Sequence, residues 1–176
     1  MIYALRKEVH AMEFLLTEIE SALDAGLYYM ALQSTLTLPD ICSTLESPKG
    51  ETTGAQYIAW YNTHAKEPGC AAMTGEVCWR LRCSYLHEGN TQNPRSPFSR
   101  ILFSVTDHRH VILHNIIVDD VMNVDLVIFC RNVISSVRKW EAKMKDNPTF
   151  LNNYKKLIKT HPMGLAPYIT GIPIIT

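Results

Sequence analysis

Leu5, Val9, Met12, Leu16, Ile19, Leu23 and Leu27 recur at steps of four and three. That period is one face of an α-helix, so the chain opens with a long amphipathic helix whose stripe must be covered by other elements. Gly26 ends or bends it. A second stripe of the same period, Leu126, Cys130, Val133, Val137, Trp140 and Met144, lies a hundred residues downstream. Asn123 or Asp125 is placed to cap that helix. The two stripes, with the shorter helices between them, sum to a helical bundle.

The segments between them read as shorter elements. A second helix is expected from Tyr29 to about Leu36. Pro39 cannot donate a helical hydrogen bond and pushes Leu38 towards extended geometry, so Thr37-Leu38-Pro39-Asp40 reads as a break or a fresh start. A short helix through Ile41 to Leu45 and a loop at Ser47-Pro48-Lys49-Gly50 follow. Thr52 or Thr53 can cap a helix carrying Tyr57, Ile58, Trp60 and Tyr61, which ends at Glu67-Pro68-Gly69. Thr74 is a good N-cap, with Glu76 in the first turn, for a helix from Val77 to about His87 that Gly89-Asn90 stops. After an exposed loop over residues 89–98 the period changes to two at Ile101, Phe103 and Val105. A β-branched run from Val111 to Val118 follows, and the two read as a β-hairpin. Pro148 begins a last helix through Phe150, Leu151, Tyr154, Leu157 and Ile158. The expectation is a mainly all-α bundle with a small hairpin inserted before the last long helix. Residues 1–160 form its single domain, and 161–176 form an irregular apolar tail.

At 176 residues the chain can bury a full core without staples. Lysine plus arginine balances aspartate plus glutamate at 17 each, so no global charge draws it to nucleic acid or an anionic membrane. The charge is polarised, however. Residues 1–51 hold eight acids against three bases, and residues 138–161 hold seven bases against two acids. That basic third can be a phosphate-docking patch or a pair of solvated helix faces. The five cysteines are odd in number and have no CxxC spacing. Cys42, Cys83 and Cys130 fall in apolar helical stretches, as small core residues do. The expected compartment is reducing and cytoplasmic. Arg6, Lys7, Glu8 and Glu13 interrupt any apolar leader, and no apolar stretch approaches bilayer length.

The densest run of reactive side chains is Trp79-Arg80-Leu81-Arg82-Cys83-Ser84-Tyr85-Leu86-His87-Glu88. A guanidinium is a planar, permanent phosphate clamp, and an imidazole exchanges a proton near neutral pH. Together they suffice for metal-free RNA cleavage: the base deprotonates a ribose 2′-OH, that oxygen attacks the adjacent phosphate, and the cation stabilises the developing charge. Arg82 and His87 are the candidate catalytic pair. Arg80, Ser84 and Tyr85 are candidate substrate-binding residues. On an ideal helix Arg80 and His87 share a face, whereas Arg82 and His87 are about 140° apart. That angle predicts a site shared by two copies, with residues 74–88 lining a homodimer interface. The spacing alone fits equally a surface Arg and a His capping the last carbonyls.

Arg82-Cys83-Ser84-Tyr85-Leu86-His87 resembles the signature of the HEPN superfamily, an Arg and a His with four to six residues between them. Leu81 before it and Glu88-Gly89 after it are similar to an LRC-x-x-LHEG variant of bacterial members. The likeness spans residues 1–145 in pattern and about ten residues in motif. It implies a helical bundle, a homodimer and, for many members, a metal-independent endoribonuclease of toxin or defence type with a cognate antitoxin. Other members are non-catalytic RNA-binding or regulatory modules. Cys83 stands where active members commonly carry Asn, Asp or His, and a thiol is a weak donor. The alternative function is therefore a non-catalytic RNA-binding or protein-interaction module.

Nothing else in the sequence competes strongly. His108, His110 and His114 cluster near the expected hairpin without a carboxylate or cysteine at clear ligand spacing. Cys70, Cys78 and Cys83 have gaps unlike a zinc module. Trp60, Trp79 and Trp140 read as core rather than as a base-stacking platform. No metal or cofactor is expected.

Overall fold

A computed structural model describes residues 11–68, 70, 72–106 and 113–176. The chain is mainly helical. Helix α1 (Ala11–Asp24) buries Met12, Leu16, Ile19 and Leu23, four positions of the opening stripe. Leu5 and Val9 lie outside the described residues. Gly26, at φ 73°, turns the chain, and Leu27 beyond it is exposed rather than on the buried face.

Helix α2 (Tyr28–Glu46) runs unbroken through Pro39, contrary to the expected break. Leu36, Leu38 and Cys42 are all fully buried around the proline. A proline inside a helix costs about 3 kcal/mol, and full burial of each large apolar side chain returns about 1.5–3 kcal/mol. Packing on several sides therefore holds the segment helical. Ser43 donates its hydroxyl to the Pro39 carbonyl at 2.7 Å. α2 is the hub of the bundle and touches α1 and every helix that follows.

Helix α3 (Gly54–Trp60), capped by Thr53, continues as a π-helical turn over Tyr61–Ala65. Helix α4 (Gly75–Glu88) is capped by Thr74 and stopped by Gly89 in the left-handed conformation. Gly75 sets its seat. Its amide donates to Asn62 Oδ1 at 2.8 Å, and a Cβ there would collide with the Ile58 carbonyl oxygen. Gly75→Ala is expected to destabilise the fold by roughly 1–3 kcal/mol, as overpacking does. Urea unfolding would show it, and an unchanged midpoint would rule out this close approach.

The β region differs from the expected hairpin. Strand β1 (Arg100–Ser104) pairs in parallel with β3 (Val121–Asp125), and β2 (Ile116–Val118) pairs with β3 in the antiparallel sense. The order is β1-β3-β2. Residues 121–125 are thus the central strand rather than a lead-in to a helix. Ile101, Met122 and Val124 turn into the core. Asp125 ends the strand and caps helix α5 (Leu126–Met144), accepting from the Ile128 amide at 2.9 Å. The α5 stripe is buried as the period required, from Leu126 to Trp140. Helix α6 (Pro148–Tyr154) is capped by Asn147 and stops short of Leu157 and Ile158. The tail is not irregular throughout. β4 (Thr160–His161) pairs with β7 (Ile174–Ile175), and β5 (Gly164–Leu165) with β6 (Ile169–Thr170).

The polarised charge is partly spent inside the fold. Arg138 of α5 forks between Glu13 and Glu20 of α1, with hydrogen bonds of 2.6–3.0 Å. Hydrogen bonds from Arg138 hold both carboxyls below their ordinary range. A carboxylate depressed in the fold adds stability above its unfolded pKa and loses it as pH falls through the folded value. Arg138→Ala is therefore expected to cost roughly 1 kcal/mol near neutral pH, discounted for partial exposure, and almost nothing in acid. Unfolding at both pH values checks the sign; equal losses would refute it.

Of the cysteines, Cys42, Cys78 and Cys130 are buried, while Cys83 is only half-buried and all five are free thiols. Cys78, not Cys83, belongs with the core. No helix among the described residues is long and apolar enough to cross a membrane.

Candidate active site

Helix α4 brings Arg82 and His87 together within one chain. Arg82 Nη1 lies 3.3 Å from His87 Nε2. A guanidinium only donates, so Nε2 accepts and its lone pair faces the cation. The ideal-helix angle predicted separation because it tracks Cα directions. The long Arg side chain crosses that angle. The angular argument for a site completed by a second copy therefore falls away.

Two neighbours fix Arg82. Its Nε donates to Asp40 Oδ2 at 2.9 Å, and its guanidinium lies 5.2 Å from the centre of the Trp79 ring, a cation–π contact. Trp79 itself packs on Gly54, where any Cβ would fall within 3.0 Å of the indole, and against the Tyr57 ring at 5.0 Å. The arginine is thus shelved on an aromatic plane and aimed by a carboxylate.

Asp40 was not singled out from the sequence. It is the only charged residue between Asp24 and Glu46, a lone charge on an apolar helix, which is the signal that marks it. Its side chain is 15% exposed. Desolvation raises its pKa, and the Arg82 charge and hydrogen bond only partly offset that. A carboxyl raised in the fold takes up a proton more readily than in the unfolded chain. Acid therefore neutralises Asp40 without penalising the fold and releases Arg82 from its partner.

The expected substrate-binding residues separate. Arg80, on the His87 face of α4 as its spacing requires, is taken up by Glu76 one turn back at 2.6 Å. Ser84 is fully buried and bonded to Asn93 Nδ2 at 2.8 Å, so it has no route to a substrate and ties down the loop after α4 instead. Tyr85 points away towards α2, where its hydroxyl donates to the Tyr29 carbonyl at 3.2 Å. Cys83 is half-buried beside Arg82.

A second polar cluster forms around Glu67. Glu67 accepts from His114 Nε2 at 3.0 Å, from Asn115 at 2.9 Å and from Asn132 at 2.9 Å. His114 Nδ1 accepts the Asp125 amide at 3.2 Å, which places the ring proton on Nε2. With both nitrogens engaged, this histidine fastens the loop 113–115 to α5 rather than presenting a free ligand. His108 and His110, expected beside it, lie outside the described residues. Among the described residues no group of three or more His, Cys, Asp or Glu side chains is arranged to hold a metal ion.

Arg82, His87, Asp40 and Trp79 are therefore the set with the most chemical capacity: a clamped cation, a base with its lone pair exposed to that cation, and a carboxyl that tunes the pair. No protein-family model matches this chain, and no curated protein or solved structure matches it either.

Proposed function

We propose that the chain is an RNA-acting protein of HEPN type that cleaves single-stranded RNA without a metal. The observation that carries this reading is the 3.3 Å contact between Arg82 and His87 in one chain. A phosphate entering the site takes the Arg82 Nη1 donor. His87 Nε2 is then free to accept the ribose 2′-OH proton. The 2′-oxygen attacks phosphorus, the bond to the 5′-oxygen breaks, and the leaving oxygen takes a proton. The products are a 2′,3′-cyclic phosphate and a 5′-hydroxyl. Asp40 holds Arg82 in place, and Trp79 keeps the guanidinium flat beneath the phosphate. The proposal includes a cytoplasmic toxin or defence role, a homodimer and a cognate antitoxin or regulatory protein. The test is incubation of RNA with the purified chain in EDTA and analysis of the product ends. Cyclic phosphate ends from wild type only are the expected outcome.

A second reading is a non-catalytic RNA-binding or interaction module. The Asp40–Arg82 ion pair favours it, because a carboxylate already occupies the clamp. Binding without cleavage would support it.

Docking of the RNA backbone would fall to Lys139, Lys143, Lys145, Lys155 and Lys156, which are exposed. Arg138 is not available to join them, being held by Glu13 and Glu20. The log of RNA affinity is expected to fall with the log of salt by roughly one unit of slope per lysine contact. Replacing Lys155 and Lys156 by Gln should lower that slope by about two units if both touch phosphate. An unchanged slope would remove this surface from the docking path.

A further inference from the structure

Residues 159–176 fold back on themselves as a two-stranded ribbon. Lys159 and Thr176 exchange backbone hydrogen bonds at its foot, β4 pairs with β7, and β5 pairs with β6 nearer the tip. At the foot, Ile158 and Ile175 line a groove together with Met12 and Leu15 of α1. Beyond the foot no residue of the ribbon is buried. Met163 is 75% exposed, Tyr168 81% and Ile172 57%. Single exposed apolar residues are ordinary, but an uncharged run of them marks a contact with a protein or a membrane.

Charge decides between the two. Residues 147–176 hold Lys155, Lys156 and Lys159 and no acid, and from Thr160 onwards there is no Lys, Arg, Asp or Glu. Lys155 and Lys156 are exposed, and none of the three lysines makes an ion pair among the described residues. Lys156 Nζ reaches the turn at Gly50, next in sequence to Lys49. An uncharged apolar tip above a collar of lysines suits an anionic bilayer surface: the apolar side chains pass between the headgroups and the ammonium groups stay at the phosphates. A tyrosine ring with its hydroxyl is at home at that level. A two-stranded ribbon leaves backbone N–H and C=O groups open along both edges, and these cannot enter hydrocarbon, so the arm stops in the headgroup layer. The balanced charge of the whole chain does not oppose this, because salt screens charges more than about 10 Å away.

We propose that residues 159–176 are a docking arm for an anionic lipid surface, with Met163, Tyr168 and Ile172 set among the headgroups and Lys155, Lys156 and Lys159 on the lipid phosphates. The inference goes beyond the RNA reading. Lys155 and Lys156 serve both, so RNA and a bilayer compete for them, whereas the apolar tip serves the bilayer alone.

The test is co-sedimentation of the chain with vesicles of phosphatidylcholine alone and of phosphatidylcholine mixed with phosphatidylserine. Binding is expected to the mixed vesicles only and to weaken as salt rises. Tyr168→Ser combined with Ile172→Ser alters two exposed side chains and should weaken it by about tenfold or more, the weight of returning large apolar side chains to water. Lys155→Gln with Lys156→Gln should weaken it by roughly fivefold per lysine. In a Tyr168→Trp chain, excited selectively against the buried tryptophans by iodide difference spectra, the new indole should lose its access to iodide when mixed vesicles are added. RNA affinity should fall in the lysine variant and stay unchanged in the tip variant. No binding to mixed vesicles, equal binding to both kinds, or binding that the tip variant leaves unchanged would each overturn the arm while leaving the RNA reading standing. Loss of RNA affinity in the tip variant would give the arm to RNA instead, and a changed mass by light scattering would give it to a second copy of this chain; either result refutes the proposal. Vesicle binding by a chain that binds no RNA would leave the arm standing and remove the RNA reading.

Discussion

His87→Ala is expected to lower RNA cleavage by on the order of a hundredfold or more, with RNA affinity nearly unchanged. A positioned acid or base contributes about 10²–10⁴-fold, and His87 is the group whose lone pair faces Arg82. The side chain is exposed at the end of α4, so its loss should leave the fold intact. Arg82→Ala should lower cleavage by about as much, since charge stabilisers of this kind are worth about 10²–10³-fold, but it should also weaken binding. The two variants thus differ in their signature: one loses turnover, the other loses turnover and affinity. Equal cleavage by wild type and the double variant would assign the activity to a contaminant. Because one chain holds both groups in contact, mixing the two inactive single variants is expected to restore little. Strong recovery would instead show that the pair works across two copies.

Trp140→Ala carries the largest expected loss of stability, about 3–5 kcal/mol. The indole is 1% exposed and lies edge-on between Trp60 at 5.7 Å and Phe150 at 5.5 Å. Its Nε1 donates to Glu46 Oε1 at 2.6 Å. Truncation opens a cavity where α2, α5, α6 and the π-helical turn meet, and it leaves a carboxylate without its donor. Trp140→Phe keeps much of the stacking and loses only the hydrogen bond, so it should cost clearly less. Urea unfolding at constant slope would measure both. A loss below about 1 kcal/mol for the alanine variant would mean that this junction is not the centre of the core.

Helix periods carried most of the fold into view from the sequence. The stripes of α1 and α5 are buried where a step of three and four placed them, and Thr74, Asp125 and Gly89 mark helix ends by local chemistry alone. Local rules failed where distant partners decide. Pro39 reads as a breaker until Leu36, Leu38 and Cys42 are seen packed around it. Val121–Asp125 is central because β1 pairs with it in parallel from seventeen or more residues away, and no turn signal announces such a pairing. At the candidate site the motif showed Arg82 and His87 but neither their contact nor Asp40, which sits more than forty residues earlier on another helix. Ser84 and Tyr85 read as substrate ligands because they stand beside Arg82 in the sequence, but the helix turns Ser84 into the core and Tyr85 towards the Tyr29 carbonyl of α2.

Strand β3 passes into helix α5 with no residue between them, and Asp125 belongs to both. Its backbone amide is held by His114, one carboxylate oxygen holds the Ile128 amide, and the other accepts the Thr106 hydroxyl at 2.8 Å. The screw phase of the helix is therefore locked to the pleat of the strand. Turning α5 by one residue, about 100°, would require β3 to slip by one, and a one-residue slip exchanges the two faces of a strand. The sheet and the first turns of α5 must then open as a single body. Their amide protons should exchange with solvent at one common, slow rate, whereas those at the far end of α5, beyond Trp140, should follow a faster clock of their own.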